Sequence, residues 1–161
     1  MDKELEFAIE LRSDGKFIES NEILLNLVEK FPNDPIINYH CAWSFDVLGK
    51  ESKAVPFYEN AINLGLSGED LEGALLGLGS TYRTLGEYEK SKEVLEKGIS
   101  LFPDNRALQI FLSMTLYNLN HHKEAMSLLL SNLTETTYDK EILRYKKAID
   151  FYHDKLDTVW E

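Results

Sequence analysis

Four turn signals recur along the chain at nearly equal intervals, and they constrain its fold more than any other feature. Gly15, Gly49, Gly86 and Asn120 stand 34, 37 and 34 residues apart. Each follows a stretch with helical spacing of apolar residues and precedes another, so each is placed to join two helices. Such a turn needs a residue that accepts positive φ, which glycine does freely and asparagine more readily than other residues. Asn120 therefore keeps the register of the three glycines. Three additional residues, Glu69-Asp70-Leu71, account for the longer middle interval. A period in this range marks a stack of similar units rather than one closed core.

The residues flanking the turns repeat as well. Ala8, Ala42, Gly79 and Ser113 precede them, and Ser20, Ala54, Ser91 and Ala125 follow. Small side chains at those places let the two helices of a hairpin approach closely. Phe31-Pro32 and Phe102-Pro103 close the first and third units, while Leu66 stands where the second would have its proline. Proline suits such a boundary because it cannot continue the helix before it. Pro56 falls inside an expected helix and is read as lying in its first turn, where the missing N–H costs little.

The clearest unit, residues 72–105, carries Leu78-Gly79, Tyr82, Gly86-Glu87-Tyr88, Ser91, Leu95, Gly98 and Phe102-Pro103. Those residues and offsets resemble the helix–turn–helix of the tetratricopeptide repeat, about 34 residues long. The resemblance extends over residues 1–133, and the chain is similar to a small stand-alone bacterial-type tetratricopeptide domain. Where the family consensus has a tryptophan, this chain has Glu4, Asn38, Leu75 and Gln109. The resemblance implies an all-α fold, a right-handed α-solenoid of about four units, as one domain over residues 1–161. The units are placed at 1–34, 35–68, 72–105 and 106–137.

Residues 138–157 depart from the pattern and are expected to form a capping helix. Ile142, Tyr145, Ile149, Tyr152 and Leu156 make one apolar stripe, with Lys140, Lys146, Lys147, Asp150 and Asp154 largely off it. An open solenoid needs such a cover for its last hydrophobic face. The helix before it, with Met126, Leu128, Leu129, Leu130 and Leu133, is apolar enough to need cover on two sides. The alternative for this last segment is a partner-binding helix.

A net charge of −11 argues against nucleic acid and anionic membranes as partners, since both are bound through lysine and arginine. No run of about 18 apolar residues spans a membrane. The first residues, Met1-Asp2-Lys3-Glu4, lack the pattern of a signal peptide. Cys41 is the only cysteine, which suits a reducing compartment, and a cytoplasmic location is expected.

No catalytic constellation emerges, and the chain is not expected to be an enzyme or to hold a metal or cofactor. Gly77-Leu78-Gly79 resembles the start of a dinucleotide fingerprint, but Tyr82 replaces its third glycine and no strand precedes it. Helix packing explains these glycines better, and the GxxxG spacing of Gly73 and Gly77 lies in a segment too polar for a membrane dimer. His121 and His122 are adjacent and would diverge on a helix. His40 lies beside the expected groove, where a histidine is more often simply solvated. Cys41 occupies a core position as a small hydrophobe.

What the resemblance implies for function is a concave face, lined by the first helix of each hairpin, that holds a peptide or helix of another protein. The exposed side of those helices is expected to present Leu5, Ile9 and Arg12 from the first unit. The second contributes Ile36, Tyr39, His40, Trp43 and Asp46, and the third Leu76, Ser80 and Arg83. The fourth adds Ile110, Phe111, Met114 and Tyr117. Tyr39 and Trp43 share a face opposite Cys41, Ala42 and Phe45 and are read as surplus to the core. Tryptophan, tyrosine and arginine are enriched in binding hot spots. One tetratricopeptide subclass grips chaperone tails with a cationic clamp. The corresponding positions here hold Leu5, Ile9, His40, Gly73 and Gly77, or Tyr39, Trp43, Gly77, Ala107 and Phe111, so neither register supplies the cations. The expected ligand is instead an apolar segment, with an acidic residue for Arg83. The alternatives are a homo-oligomeric structural role, with a homodimer burying Trp160 or the groove, and a dedicated export or assembly chaperone.

Overall fold

The computed structural model describes residues 2–160, so Met1 and Glu161 lie outside it. Among the described residues there are ten helices and no strand. They are α1 (Asp2–Ser13), α2 (Phe17–Lys30), α3 (Pro35–Asp46), α4 (Glu51–Asn63) and α5 (Gly68–Thr84). Then come α6 (Tyr88–Leu101), α7 (Arg106–Asn118), α8 (His122–Thr136), α9 (Lys140–Arg144) and α10 (Lys146–Tyr152). Contacts divide the chain into two compact units, one ending at Glu87 and one beginning at Tyr88. The boundary falls inside the best-formed repeat, at its turn.

The four predicted turns are built alike. Gly15, Gly49, Gly86 and Asn120 all have positive φ, at 78°, 65°, 80° and 64°. After each, a backbone N–H reaches back to the same helical carbonyl: Lys16 to Leu11, Lys50 to Phe45, Glu87 to Tyr82 and His121 to Leu116, at 2.8–3.0 Å. The turn residue's own N–H bonds the next carbonyl, as Gly15 does to Arg12 and Asn120 to Tyr117, both at 3.1 Å. This pair of bonds is the Schellman closure, which satisfies carbonyls that the ending helix would leave open.

In the first unit, α1 packs on α2, α2 on α3, α3 on α4, and α4 on α5. Its core holds Ala8, Leu24, Leu27, Ile37, Ala42, Ala54, Tyr58 and Leu75. Small residues bring helices close as the sequence implied, and the serine adds a bond: Ser20 Oγ donates to the Ala8 carbonyl at 2.7 Å. In the second unit, α6 packs on α7 and α7 on α8, around Leu95, Leu108, Leu112, Leu116 and Ala125. Here Ser91 and Thr115 share a hydroxyl–hydroxyl bond of 2.9 Å.

Two of the polar residues that replace the consensus tryptophan do equivalent work. Asn38 Nδ2 donates to the Pro32 carbonyl at 2.9 Å, and Asn60 Nδ2 donates to Asn38 Oδ1 at 2.9 Å. In the second unit Gln109 Nε2 donates to the Pro103 carbonyl at 3.2 Å, and Asn132 Nδ2 to Gln109 Oε1 at 2.9 Å. An amide pair ties the inter-repeat loop to both helices of the following hairpin in each case.

Two details differ from the sequence reading. Pro56 is not in the first turn of α4: the helix begins at Glu51, and the proline sits in the second turn with its ring exposed. It withholds the N–H that the Ser52 carbonyl would otherwise accept. The insertion Glu69-Asp70-Leu71 lies at the start of α5, with both acids in its first turn, where they favour the helix dipole.

The second difference concerns the cap. Residues 138–157 form two short helices, α9 and α10, rather than one. The break is at Tyr145, whose φ of −101° and ψ of 7° leave the helical range. Tyr145, Tyr152 and Leu156 of the expected stripe are exposed. Two side-chain bonds join α10 and its C-cap to α8: Thr134 Oγ1 donates to Asp150 Oδ1 at 2.7 Å, and Ser127 Oγ meets His153 Nδ1 at 2.6 Å. Met126, Leu129 and Leu133 of α8 keep exposed surface.

Candidate functional site

Of the residues singled out above, four on α1 and α3 converge into one cluster: Arg12, Tyr39, His40 and Trp43. The Arg12 guanidinium lies 3.9 Å from the centre of the Trp43 ring. It donates to the His40 carbonyl at 3.4 Å and faces His40 Nδ1 at 3.2 Å. The His40 and Trp43 rings stack, 6.2 Å apart and 15° from parallel, and Tyr39 leans on both. Only Trp43 reaches well into solvent, at 40% exposure, against 7% for Arg12, 6% for Tyr39 and 9% for His40.

That burial corrects the sequence reading in two places. Tyr39 is not surplus to the core but part of it, because Gly73 and Gly77 leave room for tyrosines against α5. A Cβ at Gly73 would collide with the Tyr39 hydroxyl, and one at Gly77 would stand 2.6 Å from Cζ of Tyr58. His40 is not solvated either. Burial and the Arg12 charge lower its pKa from 6.5 to about 4, so the ring is neutral at physiological pH and can accept from arginine. The GxxxG spacing of the two glycines was the sequence signal for these seats, although it did not say what filled them.

Asp46, at the end of α3, turns inward. It accepts from Tyr58 Oη at 2.7 Å and from Thr81 Oγ1 at 2.9 Å. Burial nonetheless raises its pKa, outweighing the two bonds that lower it. It is a link between α3, α4 and α5 rather than a groove acid. Tyr58, which sequence reasoning passed over as a repeat residue, joins this link to the cluster through its ring, 6.3 Å from Tyr39.

Most of the remaining candidates are half-buried, Leu5 and Ile9 on α1 and Leu76, Ser80 and Arg83 on α5 among them. In the second unit Ile110, Phe111 and Met114 are half-buried on α7, and Tyr117 is 64% exposed against His122, with ring centres 4.8 Å apart. His121 pairs with Glu124 at 3.3 Å. Cys41 is fully buried, and burial pushes its thiol up to about 12, the opposite of what a nucleophile needs. No group of three or more histidines, cysteines and carboxylates among the described residues could hold a metal. Among the described residues no helix is long and apolar enough to cross a membrane.

Comparison with known proteins places the architecture. A family model described as tetratrico peptide repeat matches residues 35–156. Among solved structures, MamA residues 41-end from Desulfovibrio magneticus RS-1 superposes with a TM-score of 0.76 at 13% identity, over 97% of this chain and 86% of that one. YrrB, described as a TPR protein with an unusual peptide-binding site, gives a TM-score of 0.72 at 16% identity, over 94% of this chain and 77% of that one. At such identities the likeness is one of fold. A human protein, the O-mannosyl-transferase TMTC1, is 29% identical over 116 residues, 70% of this chain. The match spans only 13% of that protein's length.

Proposed function

Since the chain belongs to the tetratricopeptide-repeat family, a fold that serves protein–protein interaction, we propose that it is an adaptor holding a peptide or helical segment of another protein. The observation that carries this reading is Trp43, a large exposed ring held in place by a buried cation beneath it. Aromatic anchors fixed in advance lose little freedom on binding, and tryptophan and arginine are typical of interface hot spots. The segment rests on Trp43, with Leu5, Ile9, Leu76, Ser80 and Arg83 of α1 and α5 as further contacts. On α7, Tyr117 with Ile110 and Met114 offers a second apolar surface. YrrB, of the same fold, is described by its peptide-binding site, which supports the assignment of ligand class.

The test is capture of partners from the native cell by the unaltered chain and by a Trp43→Ser/Tyr117→Ser variant. Both rings are exposed, so the variant keeps its helical circular dichroism and loses the specific partner. An unchanged set of captured proteins overturns the surface assignment.

A further inference from the structure

Arg12 is a buried cation without a counter-charge. It is 7% exposed, and among the described residues it forms no ion pair. The titratable side chains that interact with it, Tyr39, Tyr58 and His40, are all neutral at physiological pH. Its hydrogen-bond acceptors are both on His40. The Asp46 carboxylate, at the end of α3, accepts from Tyr58 and Thr81 instead. Buried guanidinium groups are ordinarily paired, because desolvating a lone charge costs several kcal/mol. The chain as a whole carries 28 acids against 17 bases, so carboxylates were abundant for such pairing. None is placed here.

We infer that Arg12 is the anion subsite of the partner surface, and that the bound segment delivers an aspartate or glutamate carboxylate to it beside Trp43. This rests on the proposed binding role and adds the chemistry of the ligand. Three features favour a single carboxylate over a longer acidic tract or a nucleic acid. The cation is one residue, not a patch. Nη1 and Nη2 each direct one N–H at His40, which leaves a second N–H on each for a carboxylate. The surrounding surface is aromatic, and the net charge of −11 repels a polyanion. A segment that buries an apolar side chain on Trp43 and one carboxylate against Arg12 satisfies both. Arg12 is also distinct from the cationic clamp positions considered above, which hold no cation in this chain.

The two tryptophans make the test direct, since Trp43 reports on the site and Trp160 serves as an internal reference. The full chain is titrated with the peptide N-acetyl-Leu-Glu-Leu-amide and with its Glu→Gln counterpart, following the indole N–H resonances. The Glu peptide is expected to shift Trp43 saturably and leave Trp160 still, with the Gln peptide binding about tenfold more weakly, as loss of a charge-assisted bond implies. In Arg12→Met, which removes the buried charge and keeps the volume, the two peptides bind alike, and the melting temperature is unchanged or higher. Equal affinity of both peptides for the unaltered chain overturns the inference, as does no response of Trp43 to either. A Glu preference that survives Arg12→Met overturns it too, as does a Trp43 response to inorganic phosphate alone. Partner capture that is lost in Trp43→Ser while the peptides show no Glu preference leaves the adaptor reading standing and removes only the anion subsite.

Discussion

Helices α3 and α7 hold the same place in successive alternate repeats, yet they were finished differently. Both are tied to the preceding loop by an amide, Asn38 or Gln109, and both end in a Schellman turn, at Gly49 or Asn120. The positions between diverge. Where α3 carries Tyr39, Trp43 and Asp46, α7 carries Ile110, Met114 and Tyr117 in register. The first set is largely drawn into a polar and aromatic network, while the second is half-open and apolar. The repeat thus dictates backbone and hairpin contacts and leaves one side of the first helix unspecified. In the first unit that side has been made rigid; in the second it has been left plain.

The largest effect should come from the seat that makes α3 rigid. Gly77→Ala drives a Cβ toward Cζ of the buried Tyr58, whose hydroxyl is tied to Asp46. Neither ring nor backbone can yield cheaply, and a cost of about 3 kcal/mol is expected in urea unfolding, at the upper end for overpacking. In α7 the corresponding residue is Phe111, whose side chain is only half-buried. Phe111→Ala should therefore cost less than Gly77→Ala. The reverse ranking would break the contrast between the two helices.

Acid should weaken the first unit through His40, a residue for which α7 has no titrating counterpart. Its pKa is about 4 in the folded chain, against 6.5 when unfolded. Between those values the unfolded chain binds a proton that the folded one refuses. The stability His40 contributes is thus fully present above pH 6.5 and lost as pH falls toward 4, by about 2–3 kcal/mol. Unfolding midpoints at pH 7 and pH 4.5, compared between the unaltered chain and His40→Gln, isolate this term. Equal pH slopes in the two would show that the ring protonates in place.

A smaller effect resolves how Tyr39 is seated. Gly73→Ala improves helix propensity by about 1 kcal/mol but forces its Cβ onto the Tyr39 hydroxyl, for a net loss of about 1–2 kcal/mol. In Gly73→Ala/Tyr39→Phe the hydroxyl is gone and most of that loss should disappear, since the ring carbon Cζ lies at 3.2 Å from the added Cβ. Additive losses would mean that the glycine serves something other than the tyrosine.

These seats also show where sequence reading reached its limit. The turns were legible because one backbone requirement, positive φ, admits few residues, and even the switch to Asn120 followed from it. Hairpin packing was legible because small residues recur at fixed offsets. The fate of Arg12, Tyr39 and His40 was not. A first helix offers the same pattern whether a side chain faces solvent or a neighbouring repeat. The decision lay in Gly73, 34 residues from Tyr39, and Gly77, 19 residues from Tyr58, which open space for those two rings. The break at Tyr145 was hidden for a similar reason: the apolar stripe is continuous in sequence, and it is the polar contacts of Asp150 and His153 with α8 that set where α10 lies.

Asp46 gives the finest test, because its carboxylate is both well bonded and poorly solvated. Two hydroxyl donors favour the charged form, but burial raises the pKa overall, so folding makes that charge slightly unwelcome. A carboxyl whose pKa is raised on folding contributes fully below its unfolded value, about 3.9, and loses that contribution as pH climbs through the folded value. Asp46→Asn keeps an oxygen to accept from Tyr58 or Thr81 and has no charge to desolvate. At pH 7 it should change stability by less than about 1 kcal/mol, because the lost bond strength and the relieved burial oppose each other. Its advantage over the unaltered chain should grow from pH 4 to pH 7, the reverse of the His40 trend. A loss as large as that of Gly77→Ala would mean that the carboxylate's bonds outweigh its burial. The link from α3 to α5 would then be an electrostatic one and not chiefly a matter of packing.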